Sequence, residues 1–168
     1  AQLEHLWKGN QTTARKEYET SLNNEQLRAS HYYHSETLQD YGGLLLEMGE
    51  VEEARASLSE ALSLAEQQHF LPITLAICHQ FARVLALQGQ DAQSYPLLLL
   101  TTEHPSTRST VRQRSLEIRQ SVESKLPEHL RTALLEEFEA AKTTLFQNPA
   151  LFLQKVELNA LPSVTSTG

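Results

Sequence analysis

Cysteine is almost missing from this chain: Cys78 stands alone among 168 residues. An internal disulfide is therefore excluded, and so is a zinc site built from several thiolates. A single thiol fits a reducing, cytoplasmic setting. Long apolar runs are missing as well. The run Leu97 to Leu100 is far shorter than the roughly 18 residues that a membrane-spanning helix needs. No basic, apolar leader can be read in "AQLEHLWKGN", which looks instead like the middle of a helix. That start leads us to expect a fragment of something longer. Excess positive charge is absent too. The net charge of −7 argues against non-specific nucleic-acid binding by the whole chain. No nucleophile elbow, phosphate-binding loop, metalloprotease pattern or dinucleotide fingerprint occurs, so no catalytic residue, metal or cofactor is assigned.

What is present is helix-forming. Hydrophobic residues make up 40% of the chain, enough for a buried core. Leu, Glu and Ala are the commonest residues, which biases the chain to helix. A repeat then appears. Gly9, Gly49 and Gly89 are spaced 40 residues apart. Gly49 is preceded by Gly42 and Leu45 and followed by Ala54, Leu58 and Ala61. At the same offsets Gly89 has Ala82, Leu85, Ser94, Leu98 and Thr101, and Gly9 has Ala14, Tyr18 and Ser21. The order small, large, Gly, small, large, small describes a helical hairpin. The glycine closes one helix in a left-handed cap, and the small residues let the partner helix approach. Leu58, Ala61, Leu62 and Ala65 then form one apolar face of the second helix.

The pattern predicts helices over 1–8, 11–22, 25–48, 51–68, 72–88, 91–103, about 107–125, about 128–146 and 149–158. Pro72 suits a first helical turn. His104-Pro105, Leu126-Pro127 and Asn148-Pro149 mark stops, and Ser106 or Thr107 is the expected cap of the seventh helix. Val111, Ile118, Val122 and Leu126 should form its buried stripe, and Leu130, Leu134, Phe138, Ala141 and Leu145 that of the eighth. The chain divides into repeats over 1–104, packing helices over 105–160, and a frayed, disordered tail over 161–168.

Gly42, Leu45, Gly49, Ala54, Leu58 and Ala61 resemble the helix-packing positions of tetratricopeptide repeats. The period here is 40 rather than the family's usual 34, and the family's early tryptophan position holds Leu38 and Cys78. A long period with an Arg-rich closing segment resembles the divergent arrays of bacterial maltose-regulator and AfsR-like signalling ATPases and transcriptional regulators. The resemblance implies an all-α, right-handed α-α superhelix of about two and a half repeats with capping helices. It also implies a sensor or docking arm that binds a protein, a peptide or other domains of a parent regulator.

In such a stack the first helix of each pair lines the concave side. Glu36, Gln39, Gly43 and Leu46, with His79, Arg83 and Ala86, are accordingly the expected partner-binding groove. An open end of the array suggests a homodimer as a further possibility. The alternative is nucleic-acid binding through Arg108, Arg112 and Arg119, which share one face of the seventh helix. Residues 105–131 carry six Lys or Arg against three acids. Pairing with acids such as Glu136 and Glu137 is the simpler account of that face. "HYYH", His31 to His34, has the i, i+3 spacing of a metal pair but no visible third ligand. Cys78 and His79 are adjacent, so on a helix they point apart, and Cys78 reads as a small buried hydrophobe.

Overall fold

The structure is a computed structural model that describes residues 10–160, with backbone alone for 158–160. Gly9, the helix expected over 1–8 and the tail expected over 161–168 lie outside the described residues. Among the described residues every regular element is an α-helix: α1 (Gln11–Leu22), α2 (Glu25–Ala29), α3 (His31–Glu47), α4 (Val51–Gln67), α5 (Leu71–Leu87), α6 (Asp91–Glu103), α7 (Ser109–Lys125), α8 (Glu128–Gln147) and α9 (Pro149–Ala160). The all-α class and most helix boundaries are as the sequence predicts.

Two boundaries differ. The helix expected over 25–48 is split at Ser30, whose extended backbone ends α2 and starts α3. Its hydroxyl accepts the Tyr33 N–H at 3.5 Å, and Asn24 caps α2 through bonds from the N–H groups of Gln26 and Leu27. Two good N-caps six residues apart favour two short starts over one long helix. At α7 the cap position is Arg108, with no side-chain cap, rather than Ser106 or Thr107.

The hairpin turns close by one mechanism. At α3–α4 the Glu50 N–H donates to the Leu45 carbonyl at 2.9 Å and Gly49 to Leu46 at 3.1 Å. At α5–α6 Gln90 donates to Leu85 at 2.8 Å and Gly89 to Ala86 at 3.1 Å. These paired bonds satisfy the last carbonyls and need a left-handed residue at the glycine, where φ is +81° and +73°. The α4–α5 turn makes the same two bonds, Phe70 to Ala65 and His69 to Glu66, with His69 at φ 55°.

The crossing contacts follow the repeat. A Cβ added to Gly42 would lie 2.7 Å from Leu58 Cγ and Cδ2, so the missing side chain is what lets α4 approach α3. The Ser57 hydroxyl donates to the Leu38 carbonyl at 2.8 Å beside it, and in the next hairpin Ser94 donates to the Ala82 carbonyl at 2.7 Å. Ala14, Tyr18, Leu45, Ala54, Leu58, Ala61, Ala82, Leu85 and Leu98 are all buried in one core. Helix α5 is buried continuously from Ile73 to Ala82, since α3, α4, α6, α7 and α9 all pack on it. The successive first helices α3, α5 and α7 thus lie side by side. Helix α8 packs on α6, and α9 covers α5 and α6. The stripe expected on α8 is only partly enclosed: Phe138 is buried, while Leu130, Leu134, Ala141 and Leu145 are half-buried. On α7 only Val122 of the expected four is buried.

Candidate functional site

The side-by-side first helices leave a cleft of about 340 Å³. Helix α3 supplies Glu36, Gln39, Asp40, Gly43, Leu44 and Glu47; α5 supplies His79, Gln80 and Arg83; Arg108 with Thr110, Val111 and Arg114 of α7 form the far side, and Tyr18 of α1 completes it. Five of the seven expected groove residues, Glu36, Gln39, Gly43, His79 and Arg83, meet here. Leu46 and Ala86 do not line it. Leu46 is buried in the core and Ala86 packs against it. The cleft-facing row on α3 steps by four, Gln39 to Gly43 to Glu47, and a step of three from Gly43 turns Leu46 inward. Asp40, Glu47, Gln80 and Arg114 were not among the expected residues. For Arg114 the signal is the alternation of hairpin helices, which makes the helix after α6 the next first helix of the series; Asp40, Glu47 and Gln80 lie one or four positions from expected groove residues on the same helices.

The cleft sorts charge by wall. Its acids, Glu36, Asp40 and Glu47, come from α3, and its bases come from α5, α7 and the α7 cap. One pair spans it. Arg108 holds Glu36 bidentately, Nη1 to Oε1 at 2.6 Å and Nη2 to Oε2 at 2.9 Å, and also donates to Tyr32 Oη at 3.4 Å. The carboxylate hydrogen bond raises the Arg108 pKa against a smaller opposing cost of burial. Tyr32 in turn packs edge-on against Phe70 at 5.2 Å.

Beneath the cleft is a neutral polar chain. His79 Nδ1 is 2.7 Å from Ser115 Oγ, and Thr101 Oγ1 donates to the same hydroxyl at 2.8 Å. Burial, helped by Arg83 and Arg114, holds the His79 pKa down at about 3. His79 is thus a neutral prop of the floor. Burial also lowers the Arg83 pKa, opposed by Glu47 and aided by Arg114. Its Nη1 donates to Gln80 Oε1 at 2.7 Å.

The remaining expectations resolve one by one. Cys78 is fully buried with Sγ 4.0 Å from the Pro149 carbonyl, and burial pushes its thiol pKa to about 12. It does not face His79. In "HYYH" the rings of Tyr32 and Tyr33 are exposed, and His34 Nε2 lies 3.8 Å from Glu60 Oε1. Among the described residues no group of three or more His, Cys, Asp or Glu could hold a metal ion, and no helix is long and apolar enough to cross a membrane. Arg108, Arg112 and Arg119 do not present one open face. Arg112 donates to the His104 carbonyl at 2.8 Å, and Arg119 donates to Glu123 Oε1 at 2.8 Å and Thr102 Oγ1 at 3.0 Å. Their partners are thus Glu36, Glu123, Thr102 and backbone carbonyls, not Glu136 and Glu137. The next first helix needed anchoring on α3 and α6, and its arginines supply that.

No family model, curated protein or solved structure matches the chain.

Proposed function

We propose that this chain is a protein-interaction module that receives a segment of a partner in the cleft between α3, α5 and α7. One observation carries the reading. Five of the seven residues expected from the repeat-array reading line one cleft, whose floor is made of satisfied polar groups and whose walls carry opposite charge. Such a surface offers hydrogen bonds and charge complementarity without a nucleophile or a paired acid and base. The tetratricopeptide-like superhelix, and a role as the sensor or docking arm of a larger cytoplasmic bacterial regulator, belong to the same proposal. They rest on the spacing of Gly42, Gly49, Ala54 and Leu58 and their counterparts. The nucleic-acid alternative gains nothing, because Arg108, Arg112 and Arg119 would each have to give up internal bonds to reach phosphate.

Selection of short displayed peptides on the full chain tests the reading. Thr110 is exposed on the cleft wall, so Thr110→Trp should fill the cleft without disturbing the core. Binding lost in that variant supports the cleft. Peptides that bind it as well as the native chain would refute the reading.

A further inference from the structure

Resting on that reading, we propose that the cleft recognises an acidic side chain of the docked protein segment, held between Arg83 of α5 and Arg114 of α7. Two guanidinium groups from different helices line the same cleft, and the charge of Arg114 is felt at Arg83. Arg83 is half-buried and its Nη1 bond goes to a neutral acceptor, the Gln80 amide oxygen at 2.7 Å. Arg114 is exposed, so the pair is reachable from solvent. Arg114 acts on Arg83 as a like charge, and a carboxylate placed between the two guanidinium groups attracts both. The floor adds no further positive charge, because His79 is neutral and tied to Ser115 at 2.7 Å. Glu47 shares the cleft and its field at Arg83 outweighs that of Arg114, so the incoming acid adds to an attraction that α3 already supplies and is tested most directly at Arg114.

The chain already shows how this wall treats a carboxylate. Glu36 crosses from α3 and is taken bidentately by Arg108, at 2.6 and 2.9 Å. An acid of the partner would repeat that geometry further along. The cleft volume of about 340 Å³ lies near the lower end of small-molecule sites, roughly 300–1,000 Å³, and suits one or two side chains of a larger partner.

The experiment uses short peptides selected by display on the full chain, resynthesised with each Asp or Glu replaced by its amide. The expected result is an acid common to the selected peptides, whose amide form binds about tenfold more weakly. Arg114→Gln should cause a similar loss, and the two changes together should cost little more than either alone. Arg114→Lys should keep part of the affinity, and added salt should weaken binding. If Thr110→Trp abolishes binding but the amide exchange does nothing, this inference is overturned while the interaction cleft stands. If Thr110→Trp leaves binding intact, both fall. Absence of any enriched acidic peptide, or equal competition by free glutamate or inorganic phosphate at matched concentration, also overturns it.

Discussion

At Gly49 the need for glycine is one of angle, not of space. Nothing lies within 4 Å of a Cβ built there, yet φ is +81°. Gly49→Ala should therefore cost about 1 kcal/mol through backbone strain alone. His69 occupies the equivalent place in the α4–α5 turn at φ 55° with the same two closing bonds. The exposed imidazole gains little there, so His69→Gly should raise stability by about 0.5 kcal/mol, the relief of strain exceeding the added chain entropy. Urea midpoints of the two variants measure both signs. The sequence hides the third turn because it carries no glycine, and only the geometry shows that it is the same device. His79 gives a second test at this scale. Its pKa is about 3 when folded against an ordinary 6.5. Folding favours the neutral form, so the contribution is full above about pH 6.5 and is lost as pH falls towards 3. The loss should reach on the order of 2 kcal/mol by about pH 4.5. Urea titrations across that range should be flatter for His79→Gln than for the native chain. Parallel pH profiles would show that the histidine is not held neutral.

Between elements, the α3–α4 crossing depends on Gly42. A methyl at that position would fall 2.7 Å from two carbons of a fully buried leucine, Leu58. Gly42→Ala should then cost about 1–3 kcal/mol by overpacking. Leu58→Ala alone leaves a cavity and should cost about 2–5 kcal/mol. In the double variant the new methyl occupies part of that cavity, so the combined cost should fall short of the sum by at least about 1 kcal/mol. Strict additivity in chemical denaturation would mean that the two residues do not meet. This crossing was legible in the sequence because a hairpin contact recurs with the period and involves small residues of fixed spacing. The packing of α8 was not. Its apolar positions are as expected, but Leu134, Ala141 and Leu145 remain half-buried, since α8 lies on α6 and only Phe138 reaches full cover. Periodicity tells which face is apolar, not how completely a neighbour covers it. Likewise Arg119 could not be given a partner from sequence, because its acceptors come from α6 as well as from its own helix.

Across the whole molecule, α5 is the shared centre, and the cleft exists because α3 and α7 flank it on the same side. The alternation of hairpin helices made that row predictable in outline. The Arg108–Glu36 bridge was not predictable, because it joins residues 72 positions apart. On its other side α5 is sealed by α9, and Cys78 reports on that seal. Its side chain is fully buried with Sγ against the Pro149 carbonyl at the start of α9. A thiol reagent must wait for α9 to lift or for the chain to unfold, since only the exposed thiolate reacts. Helix α9 is twelve residues long and docks through Leu153, which is fully buried. Detaching it exposes far less apolar surface than global unfolding does, so lifting should be the cheaper route. Leu153→Ala should then speed labelling of Cys78 in native buffer by at least about thirtyfold, matching about 2 kcal/mol of lost packing. Leu58→Ala, which weakens the α3–α4 crossing by a similar amount, should change the labelling rate by much less. Equal acceleration by both variants would mean that Cys78 is reached only through global unfolding, and that α9 belongs to the same cooperative unit as the hairpins.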